Sequence, residues 1–483
     1  MVDNAQRTMF FGDNLSNLRT LDDEIADLIY LDPPYNSKRV YNINFGSEAQ
    51  VKAFDDNWRW DQDQNRWLDE IKQSHKALWA YIDALLKMFT RGHGLPAYIT
   101  AMAIRAIELH RVLKKTGSIY VHVDPTASHY LKIVLDQIFG TSSFRNEIVW
   151  HYQSGGRQKK QFSKKHDSIL FYSKSNKWFF DPDAIGEKRG NQKRNNMKRG
   201  FDEDGRGYWS IKSNGKIYKY YDDEVITPSD VWIDISHLQQ KDPERLGYPT
   251  QKPLRLLERI ILGSSKKGDL VLDPYMGSGT TIEACELHGR NWIGMDVTHH
   301  SVACTASRLE YRCGLTSDDF EVIGVPADKE SAHHLKENDK SQFAAWAVLS
   351  VHAIPQQYKQ ETIYGIRRFS DLKNGKLHSD YIVYVVCEGD LPAESDINNA
   401  QAIMKAQKAS LCYLIGFNDP SDESSQLLAS QGVHTHGNGR KETPVMQYIT
   451  VAQIIESPAL VQDFFNAGGQ HRRQDVSQTD LFE

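Results

Sequence analysis

The stretch GDLVLDPYMGSGTTIEACELHGRNWIGMDV (residues 268–297) constrains the fold more than any other part of the chain. An apolar strand ends at Asp273, a turn carrying Gly277 and Gly279 opens a helix, that helix stops near Gly289, and a second strand runs from Trp292 to Val297. This is a βαβ unit with its glycines at the carboxyl end of the first strand, where doubly wound sheets bind nucleotides. A second strand-turn unit, ADLIYLDPPYNS, sends the buried-type strand Leu28–Leu31 straight into Asp32 and a Pro-Pro pair that cannot continue a ladder. Helical spacing over Ile104–Leu113 precedes a strand at Gly117–Asp124, and a helix over His129–Phe139 precedes a strand at Glu147–Tyr152. Further on, Val231–Leu238 is read as ordered, and Thr250–Ile261 as a helix with Pro253 near its first turn and Leu254, Leu257 and Ile261 on one face. These patterns predict an α/β class, a parallel sheet with a basic insertion.

A chain of 483 residues is too long for one ordinary domain, and its 40% hydrophobic and 25% charged content is that of a soluble globular protein. There is no run of 18 apolar residues and no basic start leading into an apolar stretch, so neither a membrane span nor a secretory signal is expected. Five cysteines, never spaced as CxxC, predict free thiols in a reducing cytoplasm. No cluster with metal-ligand spacing is evident, and His434-Thr435-His436 is read as a solvated loop. The net charge of −5 is unevenly distributed. Residues 157–219 hold 17 Lys/Arg against 7 Asp/Glu, whereas residues 316–483 hold 14 against 23. A block of net +10 inside an acidic chain has the footprint of a phosphate-binding surface, with Arg157, Lys159, Lys160, Lys164 and Lys165 as candidate DNA contacts.

The DPPY turn suggests a particular chemistry. An exocyclic base amino group is a poor nucleophile because its lone pair is delocalised into the ring. A carboxylate and a backbone carbonyl can hold both N–H bonds and favour a pyramidal nitrogen. Asp32 and the Pro33 carbonyl suit that task, Pro33 and Pro34 stiffen the acceptor, and Tyr35 offers a stacking face for a base removed from a duplex. In the second unit, Gly277 and Gly279 let the backbone approach a ligand closely. Asp296 lies 23 residues after Asp273, where an acid binds ribose hydroxyls in dinucleotide folds. The loop lacks GxGxxG and GK[ST], so NAD and ATP suit it poorly, while an adenosine-bearing cofactor with a charged amino-acid tail suits its acids.

The two motifs together resemble the β class of amino-methyltransferases, in which DPPY precedes an FxGxG-type motif and a target-recognition domain lies between them. Here FxGxG reads Tyr275-Met276-Gly277-Ser278-Gly279, with tyrosine in place of phenylalanine. FGDNLSNL (11–18), LKKTGSIYVHVDPTASHYLK (113–132) and ERLGYPTQKPLRLLERII (244–261) also match, so the resemblance covers about residues 8–152 and 228–312. It implies a circularly permuted class I, Rossmann-like fold that takes S-adenosylmethionine. It also implies a cofactor site drawn from Asp13, Asp32, Gln251, Lys252, Asp273, Tyr275, Gly277, Gly279, Thr280 and Asp296, with Gln251 and Lys252 toward the methionine end and Asp13 near the adenine. In this family DPPY usually accompanies adenine N6 methylation and SPPY cytosine N4. The resemblance thus implies a site-specific adenine methyltransferase on duplex DNA, with cytosine N4 methylation or a fused restriction-modification enzyme as alternatives.

Five segments are expected: a first methyltransferase part at 1–152, a basic recognition insertion at 153–230, a second methyltransferase part at 231–315, a further domain at 316–467 and a flexible tail at 468–483. The 316–467 segment resembles an Mrr-like restriction-nuclease extension. An active version needs an acid in a G-I-D-G type turn and a lysine in the next strand. Here the turn is read as Tyr364-Gly365-Ile366-Arg367-Arg368, and YIVYVVCEGD has no lysine, so cleavage chemistry is not expected. In the tail, Gln478-Thr479-Asp480-Leu481-Phe482 resembles the QxDLF pentapeptide that docks on the replication sliding clamp. Restriction or defence proteins are the other partners the family resemblance implies.

Overall fold

The computed structural model describes residues 7–35, 40–45, 49–55, 58–89, 93–152, 159–191, 196–239, 242–246, 248, 250–316, 318–351, 353–358, 362–373, 376–435 and 442–456. Its centre is a nine-stranded sheet built from β1 (Arg7–Phe11), β2 (Ala26–Leu31), β3 (Leu113–Val123), β4 (Phe144–His151), β5 (His166–Ser173), β6 (Val231–Trp232), β7 (Leu270–Asp273), β8 (Asn291–Asp296) and β9 (Glu321–Ile323). The spatial order is β6-β4-β5-β3-β2-β7-β8-β1-β9. All pairs are parallel except β5 with its two neighbours, so the sheet is mixed rather than purely parallel.

Apolar residues on both faces explain why β2 lies at the centre. Ile29 and Leu31 face one core with helices α1 (Asn14–Thr20), α2 (Gly94–Val112) and α3 (Ser128–Phe139), while Leu28 and Tyr30 face a second with α4 (Leu254–Ser264), α5 (Thr280–Leu287) and α6 (His299–Arg308). A strand that must bury alternate residues on opposite faces has no tolerance for a one-residue slip. Pairing of β2 with β7, and of β7 with β8, brings the carboxyl ends of these three strands side by side.

Several expectations need correction. The strand His166–Ser173 is apolar enough to be buried and pairs between β3 and β4, so it belongs to the central sheet and not to the basic insertion. Beyond the expected boundary at 315, Glu321–Ile323 pairs with β1. Only Val231–Trp232 of the 231–238 stretch is a strand, and α4 starts at Leu254 because Pro253 lies outside it with extended backbone. Tyr364–Arg368 is the interior of a strand, Thr362–Lys373, not a turn. His434 and Thr435 lie in a short strand paired with Glu442–Pro444, and His436 lies outside the described residues.

Between Lys174 and Val231 no described residue is buried. This segment carries an antiparallel three-stranded sheet, Lys198–Phe201, Gly207–Ser213 and Lys216–Tyr221. The C-terminal segment forms a five-stranded sheet of its own: Ile354–Tyr358, Thr362–Lys373 and Lys376–Val386 are antiparallel, then Leu411–Gly416 and Met446–Thr450 continue parallel. A helix, Lys340–Ser350, packs on this sheet so closely that a Cβ on Gly365 would meet Val348 at 2.5 Å. The same helix touches α6: the His299 amide donates to Gln342 Oε1 at 3.3 Å. Among the described residues, no helix is long and apolar enough to cross a membrane.

Candidate functional site

A cavity of about 1110 Å³ opens along the carboxyl edge of the sheet. The turn after β2, the glycine loop after β7, the end of β8 and the helix Lys340–Ser350 all contribute to its wall. Asp32, Pro33, Pro34, Tyr35, Asp13, Gln251, Lys252, Asp273, Tyr275, Gly277, Thr280 and Asp296 line it together, and Gly279 is next to them in the loop. Residues as distant in sequence as Asp13 and Asp296 therefore converge, as parallel crossover connections require.

The glycine loop depends on backbone that other residues adopt poorly. Gly277 has φ +51° and Gly279 φ +76°, and a Cβ on Gly279 would lie 2.6 Å from the Thr305 side chain. Two acids brace this loop from inside. Asp273 accepts from the Tyr275 amide at 2.9 Å and from Thr281 Oγ1 at 2.6 Å. Asp296 accepts from the Gly277 amide at 3.0 Å and from the Thr298 amide at 3.0 Å and hydroxyl at 3.1 Å. Burial pushes Asp273 up to about 7, with Asp32 and Asp296 adding repulsion against its two hydrogen-bond donors. Burial also raises Asp296.

Other candidates hold neighbouring segments together. Thr280 Oγ1 donates to the Lys252 carbonyl at 3.2 Å and accepts from Arg308 at 2.6 Å. Gln251 donates to the Glu244 carbonyl and accepts from the Leu246 amide, both at 2.8 Å, so its side chain clamps the preceding loop. Asp13 caps α1 through the Ser16 amide and accepts from Arg105 at 2.7 Å.

The DPPY turn is held differently. Asp32 Oδ1 accepts from the Tyr35 hydroxyl, and Oδ2 forms an ion pair with Lys252 Nζ. Lys252 Nζ also reaches the Tyr35 oxygen at 3.0 Å. Beneath them runs a chain of polar groups, buried at Tyr30 and His122 and half-buried at Asp167 and Tyr152. Tyr30 Oη meets His122 Nδ1 at 2.9 Å, His122 Nε2 meets Asp167 at 3.3 Å, and the Tyr152 hydroxyl donates to Asp167 at 3.0 Å. Burial pushes Asp167 up, but its bonds to His122 and Tyr152 and the charge of Lys252 outweigh it, leaving the carboxyl below its usual range.

Sequence reasoning missed His122, Asp167, Tyr152 and Arg105. The signals were present: a histidine inside the apolar strand SIYVHV and an arginine inside the apolar helix stretch AMAIRAI are each unusual unless paired. Of the basic candidates, Lys159, Lys160 and Lys164 are exposed, Lys165 is partly buried, and Arg157 lies outside the described residues. These lysines sit in the connection between β4 and β5. Because β4 runs parallel to β2 and β3, that connection emerges at the cavity edge of the sheet.

The residues fit an adenosine-bearing ligand with a charged tail: a glycine loop that leaves room for close approach, several acids, and the cations Lys252 and Arg105. Several known proteins are similar to this chain. Type II methyltransferase M.HpaI of Haemophilus parainfluenzae is 29% identical over 318 residues, 64% of this chain and 77% of that protein. DNA adenine methyltransferase YhdJ of Escherichia coli K12 is 29% identical over 324 residues, 66% of this chain and 88% of that protein. The solved structure of the cytosine-N4-specific PvuII DNA methyltransferase aligns over 65% of this chain and 89% of its own at 15% identity, with a TM-score of 0.38. A family model described as DNA methylase, the N6/N4 methyltransferase family, matches residues 26–307, which include both the DPPY turn and the glycine loop. With more than half its length inside that match, the chain belongs to the N6/N4 DNA methylase family, whose methyl donor is S-adenosylmethionine.

Proposed function

We propose that this chain is a site-specific methyltransferase that modifies adenine N6 in duplex DNA. The observation that carries the reading is the placement of the Asp32-Pro33-Pro34-Tyr35 turn and the glycine loop on one cavity at the carboxyl edge of adjacent strands. Asp32 and the Pro33 carbonyl accept the two N–H bonds of the target amino group, and the prolines hold these acceptors still. Tyr35 stacks on the extruded base. S-adenosylmethionine supplies an electrophilic methyl group, and Asp13, Asp273, Tyr275, Gly277, Gly279, Thr280 and Asp296 form or brace its pocket with Gln251 and Lys252. Exposed Lys159, Lys160 and Lys164 on the same edge support a phosphate-facing role for the β4–β5 connection together with Lys165 and Arg157. The adenine in the name of YhdJ and the DPPY form of the motif favour adenine over cytosine.

For the C-terminal domain we propose a nuclease-like fold without cleavage chemistry. In support, the register pairs Arg367 with Ile382, and Arg367 packs beside Tyr384, so a cation and a phenol occupy the region where metal-binding acids and a lysine would be needed. The clamp-docking pentapeptide Gln478–Phe482 lies outside the described residues and is proposed on its sequence alone, as are restriction or defence partners. Single-molecule sequencing of DNA from cells expressing the protein tests the main reading. A mark on adenine at one recurring site is expected; a mark on cytosine would replace it with N4 chemistry.

A further inference from the structure

Both oxygens of Asp32 are held, one by the Tyr35 hydroxyl and one by Lys252, so a base amino group must compete with these donors for the carboxylate. The lysine is the decisive partner. Its side chain is 10% exposed and that of Asp32 14%, so both charges are largely shielded from bulk water and each has the other as a direct partner. The main chain of Lys252 is anchored, because its carbonyl accepts from Thr280 and the next residue begins the approach to α4. Its four-carbon stem can still swing about that anchor. A buried ammonium leaves one anion only for another. The nearby Asp167 carboxylate is already engaged by His122 and Tyr152. The methyl donor brings a carboxylate in its amino-acid tail to this same cavity.

We propose that Lys252 is a counter-ion latch. It holds Asp32 until the tail carboxylate of the cofactor takes it, so the amino acceptor is released only when the methyl donor is seated. The latch rests on the reading of Asp32 as the amino acceptor. It makes capture of the target base depend on the cofactor tail and not merely on the adenosine.

The test uses the full chain and a duplex with 2-aminopurine stacked directly beside the adenine that sequencing shows to be methylated. Fluorescence reports extrusion of that adenine without any turnover. With wild-type protein, S-adenosylhomocysteine should raise the signal. Methylthioadenosine, which keeps the adenosine and sulfur but lacks the tail, should favour extrusion at least about tenfold less, as expected for loss of one charge-assisted hydrogen bond. Lys252→Met should extrude the base with neither nucleoside present and gain little from either. Lys252→Arg, which preserves the ion pair, should keep the wild-type pattern. If Lys252→Met fails to fold by circular dichroism, the comparison of the two nucleosides on wild-type protein decides alone. Equal extrusion with both nucleosides, or a Lys252→Met protein that still needs S-adenosylhomocysteine, would overturn the latch. Failure of the adenine reading is distinguishable, because it appears as a mark on cytosine, whereas failure of the latch leaves the adenine mark in place.

Discussion

The two ends of the cavity treat their carboxylates in opposite ways. On the glycine-loop side, buried Asp273 and half-buried Asp296 accept mainly from backbone amides and hydroxyls of the loop they support. On the DPPY side, Asp32 is held by two side chains, Tyr35 and Lys252, from a neighbouring position and a distant loop. Backbone donors cannot leave without unfolding the loop, whereas side chains can rotate away. The difference separates a frame from the proposed reaction centre: acids of similar appearance in the sequence brace a loop at one end and, on the proposed reading, serve the chemistry at the other.

The largest expected effect breaks this comparison at the DPPY end. Asp32→Asn should lower the methyl-transfer rate at least ~100-fold, the scale for losing a transition-state hydrogen bond. Retention of more than about a tenth of wild-type turnover would place the acceptor elsewhere. Removing the charges of Lys159, Lys160, Lys164 and Lys165 together should weaken DNA binding and flatten its salt dependence by about 0.9 in log–log slope for each phosphate no longer neutralised. An unchanged slope in a filter-binding or anisotropy titration would make the β4–β5 connection a solvated surface only.

At the glycine-loop end the expected effect is on stability and has a definite sign. Asp273 is raised to about 7 in the fold, far above an unfolded carboxyl, so its protonated form is the one the fold favours. Its contribution is fully present below the ordinary carboxyl range and is lost as pH rises toward and through about 7. Asp273→Asn cannot ionise, so its thermal midpoint relative to wild type should improve by several degrees between pH 5 and 8. A parallel pH dependence in the two proteins, followed by calorimetry, would contradict this. The smallest effect concerns the far wall of the cavity. Gln342→Ala removes one acceptor from the His299 amide at the start of α6, just beyond Asp296. It should weaken S-adenosylhomocysteine binding by about twofold to tenfold in calorimetric titration, the range for one neutral hydrogen bond. No change would mean that the C-terminal domain supports the cofactor end only sterically.

The catalytic frame was legible because its signals are local. A strand ending in Asp-Pro-Pro and a glycine turn between strand and helix announce themselves within a dozen residues, and their shared edge follows from parallel crossover geometry. The Lys252–Asp32 pair spans 220 positions, so its distance was not readable from either motif, even though each residue was a candidate. Asp167 was hidden for a related reason: the basic residues on either side of β5 made the whole stretch look like insertion, yet the apolar run Ile169–Tyr172 has the character of a buried strand. In the C-terminal domain, Gly365 suggested a turn, whereas it permits a helix to approach the middle of a strand.

The most direct measurement combines methyl-labelled S-adenosylmethionine, duplex DNA and purified protein, followed by digestion to nucleosides and identification of the labelled species. Wild-type protein should place the label in N6-methyladenine, and Asp32→Asn should leave the DNA unlabelled while still binding the duplex. Label in N4-methylcytosine would contradict the choice of base, and equal labelling by both proteins would contradict the assignment of Asp32 as the group that holds the target amino nitrogen.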